Sequence, residues 1–361
     1  MADTPAASGL TVQQWDDQFF VEYQGNHPFK PYMGTSEQSI IQVKEQLGRS
    51  RGDSLTFALL NRLKQDATTG TNVLEGNEED MTSRSQRVYV DKRRHAVRVA
   101  EMEEKRSSFS LRNAARPNLM EWAKNEDTNR IIERLGDING VPYALASEAQ
   151  KDAWLADNAD RVLFGAARSN TDGSDHSDSL LNVDTSADKL DTGILSLMKR
   201  IALTADPKIS PVRFAGLNRR YYVAFVHPYA MRDLKADSVL TDAQREVTIT
   251  SQNEKIFQGG DVDYDGILVH EVDEMPIYAD VGASTSDVSP VYLVGAQALG
   301  LARVKRWSSR TEEFDYADKH GVAVEIIDGL EKLVFGSGAG DTDDLKDHGV
   351  VTGFVSTTAD A

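Results

Sequence analysis

No cysteine occurs among the 361 residues. Disulfides, thiolate metal sites and cysteine nucleophiles are all excluded, and the chain suits a reducing compartment or is indifferent to redox conditions. Long apolar runs are missing too. Nothing approaches the roughly 18–20 residues that a membrane helix needs, so no membrane partner is expected. Met1 to Ser8 carry neither the basic region nor the apolar core of a secretory signal, which makes the cytoplasm the expected place of synthesis and folding. Bases are scarce: 40 Lys and Arg face 57 Asp and Glu, for a net charge of −17. Phosphate recognition rests on Lys and Arg, so sequence-specific nucleic-acid binding is disfavoured. An apolar fraction of 40% and a charged fraction of 27% describe an ordinary folded protein, long enough for two or three domains.

The charge is unevenly placed. Residues 1–136 hold 20 acids and 19 bases, whereas residues 137–361 hold 37 and 21. Within the first part, Asp80 to Arg116 has ten bases against five acids. A Gly-bracketed tip, Gly70 to Glu79, leads to a returning arm in which Val88, Val90, Val97 and Val99 keep a period of two. Arg87, Lys92, Arg93, Arg94 and Arg98 stand between and beside them. Leu55 to Leu60 is the strand entering this excursion. Met102 to Arg116 reads as helix, and Leu119, Trp122, Ile131, Ile132 and Leu135 carry its stripe on to Gly136. Pro117 either kinks that helix or opens a second segment.

Tyr89 and Phe109 are the only aromatics of the basic stretch, too few for a nucleic-acid platform. A solvated face with internal pairs such as Glu101 with Lys105 is one reading. Complementarity to the acidic surface of another copy is the preferred one. Ordering an excursion of about 45 residues at roughly 1–2 kcal/mol each calls for extensive burial, and no internal stripe of that size is evident. The arm is therefore loose in the monomer or covered by a neighbour.

Leu10, Val12, Trp15, Phe19, Phe20 and Tyr23 recur at near-helical spacing, as a core-facing helix or an arm docking on a neighbour. Asn26 to Pro31 is a turn or extended link, and Ile40 to Leu47 a short helix or strand. Beyond Gly140 the pattern mixes α and β. Arg168 to Ser179 reads as an aperiodic polar loop, Lys189 to Ala205 and Thr241 to Val247 as helices, and Ala296 to Val304 as a small-residue helix. Tyr221–Val226, Ile267–Val272, Pro290–Gly295, Val322–Ile327 and Gly353–Ser356 read as strands.

Chemical motifs fail on inspection. Asp261, Asp263, Asp265 and Gly266 imitate the start of a calcium loop, but the twelfth position holds Val272 instead of glutamate. His270-Glu271 lacks the second histidine of the zinc-protease pattern. Gly336 to Gly340 lacks the Lys-Ser/Thr ending of a phosphate loop, no G-x-S-x-G elbow occurs, and the seven histidines are scattered. No catalytic, cofactor or metal residue is assigned. An acidic calcium-binding surface protein or an undetected hydrolase is the alternative class.

Several segments in fixed order carry a family resemblance: Gly76-Asn77-Glu78-Glu79, Val90 to Val97, Met102 to Ser107, and Leu111 to Arg116 with Leu119 and Trp122. Tyr222 to Pro228, Gly266 to Glu271 and Gly295 to Leu299 extend it. Together they resemble the major capsid proteins of podophages related to coliphage N-four, over most of the chain; residues 168–179 and the last thirty match least. The resemblance implies an α+β fold of the Hong Kong 97 type and no enzymatic site. Residues 1–52 would be an N-terminal arm and lead-in, 53–100 an extended loop, and 101–204 a peripheral domain with its spine helix at 102–135. Residues 205–310 would be an axial domain and 311–361 the return to the periphery. The expected product is an icosahedral head of hexamers and pentamers, built in the host cytoplasm and enclosing double-stranded DNA without sequence-specific contact. A portal and scaffolding or decoration proteins would be further partners. Candidate inter-subunit contacts are Trp15, Phe19, Glu78, Glu79, Arg87, Lys92, Arg93, Arg94 and Arg98.

Overall fold

The computed structural model describes residues 29–45, 53–60, 63, 65–70, 73–79, 83–106, 111–213, 220–246, 257–258, 261–316, 318–337 and 340–359. The stripe from Leu10 to Tyr23, with Trp15 and Phe19, lies outside them. After a 3-10 turn at Lys30–Tyr32 come β1 (Met33–Gly34) and β2 (Ile41–Lys44). β3 (Ser54–Leu60) pairs antiparallel with β4 (Ser83–Tyr89), and β5 (Asp91–Ala100) follows one residue later. Two helices come next, α1 (Glu101–Arg106) and α2 (Leu111–Leu135), with Pro117 inside α2.

The middle of the chain holds α3 (Glu148–Asp157), β6 (Val162–Phe164), α4 (His176–Leu181) and α5 (Thr192–Thr204). Then come β7 (Val212–Arg213), β8 (Arg220–Val226), α6 (Pro228–Ala236) and α7 (Ser238–Glu246). β9 (Phe257–Gln258), β10 (Asp261–Tyr264), β11 (Ile267–Glu271) and β12 (Val288–Val294) precede two long strands, β13 (Leu299–Phe314) and β14 (Lys319–Lys332). β15 (Val334–Ser337), β16 (Asp343–Asp347) and β17 (Val350–Ser356) close the order.

Two sheets organise these elements. One has the order β1-β2-β13-β14-β5; the larger runs β6-β17-β12-β8-β11-β10-β9, with β7 beside β8. α5 and α6 cover one face of the larger sheet through Ile194, Leu195, Met198, Met231 and Leu234. Its other face meets Phe29, Tyr32, β2 and the last turns of α2. Farther up, α2 lays Leu119 and Ala123 on Trp307, Val322, Val324 and Ile326 of the long β13–β14 ribbon. One helix thus packs against both sheets. Sheet membership also cuts across the limits expected at 204–205 and 310–311. β17 lies between β12 and β6, while β13 and β14 pair with each other and β5 is the partner on β14's other side.

Two local expectations are corrected. Residues 299–304 are the start of β13, not a helix. Leu299 and Leu301 face one core, whereas Ala302 faces another that contains Phe57 and Leu333. Burial on both faces removes the polar–apolar alternation that identifies a strand, so a small-residue run reads ambiguously. Arg168 to Ser179 is not wholly loop either: a 3-10 turn spans Arg168–Asn170 and α4 starts at His176. Asp175 caps α4 by accepting from the Asp178 N–H at 3.0 Å, and a helix of six residues is too short to show periodicity.

Where β14 ends and β16 returns, a buried ion pair sits between the layers. Lys332 Nζ donates to Asp347 Oδ2 at 2.8 Å, and both side chains are 2% exposed. The Trp154 indole N–H reaches the same oxygen at 3.2 Å. Asn158 Oδ1 accepts from the Asp347 N–H at 2.9 Å, and the fully buried Arg161 guanidinium donates to the Asp347 carbonyl.

Candidate assembly surface

The β3–β4 hairpin has an anchored root and an unburied end. Leu55, Phe57 and Val88 pack on Ala302, Leu333 and Phe335. Gln86 completes the anchor with both ends of its amide: Nε2 donates to the Lys332 carbonyl at 2.9 Å, and Oε1 accepts from the Val334 N–H at 2.6 Å. Gly329 is required beside it, because a Cβ there would stand 2.0 Å from the Tyr89 carbonyl oxygen. Outward of Leu59 the pattern reverses. Leu60, Leu63, Val73 and Leu74 are 64, 59, 66 and 62% exposed. The sequence did not single out these four as exposed: Leu60 ends the strand read at Leu55 to Leu60, Val73 and Leu74 stand together in the Gly-bracketed tip, and no periodicity marks them. At the same tip, Glu78 accepts from the Gly76 N–H at 2.6 Å and Glu79 from the Gln65 N–H at 2.8 Å. These acids hold the backbone of the tip in shape.

The basic returning arm divides by face, as the two-residue period of a strand requires. Arg93, His95 and Val97 turn toward α2. The Arg93 guanidinium reaches Asp328 at 2.9 Å, Asp127 at 2.8 Å and Glu126 at 3.5 Å, with only 17% of the side chain exposed. Arg130 joins Asp328 at 2.8 Å, and Trp307 donates to Asp127 at 3.1 Å. Burial works against the charge on Arg93, but Asp328 and Asp127 outweigh it and hold the guanidinium more firmly protonated than usual. His95 stacks on Trp122 with ring centroids 4.5 Å apart. Arg93 thus ties β5 to α2 and β14 within its own chain.

Lys92, Arg94 and Arg98 take the opposite face. Glu325, opposite Arg94 in the register, is nearly buried there and pairs with Lys92 at 2.7 Å, Lys305 and Arg310 at 3.1 Å. Arg87, Arg94 and Arg98 are exposed and, among the described residues, make no ion pair. The open face therefore presents a surplus of positive charge, with Glu325 and Glu312 as acids within it.

Hydrogen bonds from Lys305 and Lys92 hold the Glu325 carboxyl down at about 2. Its folded pKa is below the ordinary value of about 4.3, so its contribution to stability is complete above that value and is lost as pH falls toward 2. Urea unfolding between pH 5 and 2 should show a steeper loss of stability for the native chain than for Glu325→Gln. Parallel curves would deny Glu325 that role.

Two of the motifs set aside from the sequence fall on strands β10 and β11 and the turn between them. Asp265 lies in the β10–β11 turn and pairs with Lys199 at 2.7 Å. His270 lies on β11 with its ring 5.4 Å from that of Tyr32.

A family model described as phage capsid protein matches residues 3–360. The chain belongs to that family. The major capsid protein of Pseudomonas phage KPP25 is 29% identical over 382 residues, covering 96% of each chain. Among solved structures, the capsid asymmetric unit of cyanophage Pam1 superposes with a TM-score of 0.81 at 29% identity, over the whole of both chains. The capsid of Ralstonia phage GP4 gives 0.71 at 22% identity, covering 91% of this chain and 90% of that one, a likeness of fold. The α+β architecture is that of tailed-phage capsid proteins. The chain is a structural capsid protein of a tailed phage, located in the virion and associating with itself into a shell. For such a subunit the hairpin end and the open basic face are exposed groups that shell contacts can cover.

Proposed function

We propose that the β3–β4 hairpin, within residues 53–90, is the loop that reaches across a neighbouring subunit. The observation that carries this reading is the four exposed apolar side chains beyond a root fixed by its own core. Four exposed apolar side chains in the outer part of one hairpin offer surface that a neighbour would cover. The β5 strand and its partners β13 and β14, with α1 and α2, act as the peripheral domain. The larger sheet with α5 and α6 acts as the axial domain near the capsomer centre. Lys92, Arg94 and Arg98 meet acidic surface of an adjacent copy, where complementary charge sets register more than affinity. Arg87, on the hairpin itself, serves the same contact.

Rings of six and five copies close by rotation, and further contacts join them into an icosahedral head. Each contact can be weak because many act together. Packaged double-stranded DNA, the portal and any scaffolding or decoration proteins are its other partners. The role is structural, without catalysis. Supporting that, three histidines serve packing and capping on separate elements: His95 on Trp122, His227 at the start of α6, His348 against Phe335.

Leu63→Asp with Leu74→Asp should leave the secondary structure and unfolding midpoint of the subunit unchanged while abolishing shells in electron micrographs. Normal shells from that double variant would refute the docking role of the tip.

A further inference from the structure

Three carboxylates converge away from the assembly surfaces, where α3 meets α4. Glu148 and Asp152 stand one helical turn apart on α3, and Asp175 caps α4 beside them. Each offers an oxygen, and the three lie within 4.8 Å of one another. Asp152 Oδ1 accepts from the His176 N–H at 2.9 Å. Asp175 Oδ1 accepts from the Asp178 N–H at 3.0 Å and the Ser177 hydroxyl at 2.9 Å. Both side chains are thereby oriented, each with its second oxygen left over.

The decisive neighbour is His176. Its side chain is 1% exposed, set among the rings of Phe164, Phe354 and Tyr143. Nε2 lies 3.3 Å from the Tyr143 hydroxyl. Nδ1 has no hydrogen-bond partner among the described residues and lies 3.8 Å from Glu148 Oε1, on the side of the cluster that Glu148 forms. A buried ring nitrogen without a partner is costly in either tautomer. With the Nε2 proton donated to Tyr143, the Nδ1 lone pair is free to ligate, and the hydroxyl fixes the ring as an outer partner does in metal sites.

We propose that Glu148, Asp152, Asp175 and His176 bind one first-row divalent cation, with Mn2+ as its type, clasping α3 to α4. Three hard oxygens with one imidazole nitrogen are the donor set such ions take. Lys151 is the cation already nearby, but it sits 3.9 Å from Glu148 Oε2 and over the Tyr143 ring at 4.6 Å. Three carboxylates beside one ammonium leave two negative charges for the metal to neutralise.

Calorimetric titration of the purified full chain with MnCl2 at pH 7 tests this. Expected are one saturable site per chain, a higher unfolding temperature with Mn2+, and affinity reduced about 10–100-fold in Glu148→Gln with Asp152→Asn. The asparagine can still accept from the His176 N–H, and Glu148→Gln alone, at an exposed position, repeats the test if the pair fails to fold. Mg2+, which has little preference for nitrogen, should bind about tenfold more weakly than Mn2+. No saturation below about 1 mM Mn2+, or affinity unchanged in the variants, overturns the site. Equal affinity for Mg2+ and Mn2+ overturns the part given to His176.

Discussion

Arg93→Glu should destabilise the folded subunit by about 3–5 kcal/mol, the usual cost of breaking a buried charge pair by removing one partner, read as a lower urea midpoint. The substitution leaves Asp328, Asp127 and Glu126 without their shared cation and adds a fourth acid among them. Arg130 can still reach Asp328, which keeps the loss within that range. Arg94→Glu with Arg98→Glu, one and five residues further along the same strand, should shift the midpoint by no more than about 0.5 kcal/mol, as exposed substitutions do, yet impair shell formation. The two outcomes together separate a side chain that holds β5 to its own helix from those that face a neighbour. A wild-type midpoint for Arg93→Glu would contradict the internal role, and normal shells from the exposed pair would contradict the external one.

Asp347→Ala is expected to be comparably damaging, again by about 3–5 kcal/mol. It strands the Lys332 ammonium in a site where that side chain is 2% exposed, and it leaves the Trp154 indole N–H without its acceptor. Lys332→Met with Asp347→Leu should recover much of the loss, because removing both charges also removes the cost of burying them. Urea midpoints of the native chain, Lys332→Met, Asp347→Leu and the double variant give the coupling between the pair. Additive effects would show that Lys332 and Asp347 do not depend on each other. Recovery in the double variant would place the pair among features that set geometry more than stability.

The excursion and the helix after it were legible because their signals are local. Val88 with Val90, and Val97 with Val99, stand two residues apart, and α2 carries a stripe from Leu119 to Leu135. The strand period was also sufficient to divide Lys92, Arg94 and Arg98 from Arg93, but which face is internal depends on Asp127 and Asp328, 34 and 235 positions away. Helix capping by Asp175 was visible as a residue type and lost among other polar residues. The β13 strand was misread because packing on both faces erased its alternation. The anchor of the hairpin was invisible for a related reason: Leu333 and Phe335 belong to the other end of the chain, so no internal stripe near the arm reveals the surface that receives it.

That anchor has a consequence in time. The carbonyl and N–H that grip Gln86 belong to residues 246 and 248 positions later. At synthesis rates of about 5–20 residues per second, roughly 10–50 s separate the making of the hairpin from the making of its support. Through that interval the hairpin has no root, so its apolar end is not yet presented in a fixed direction. On the docking role proposed for it, the hairpin would be ready for a neighbour only once nearly all of the subunit's own fold has been translated.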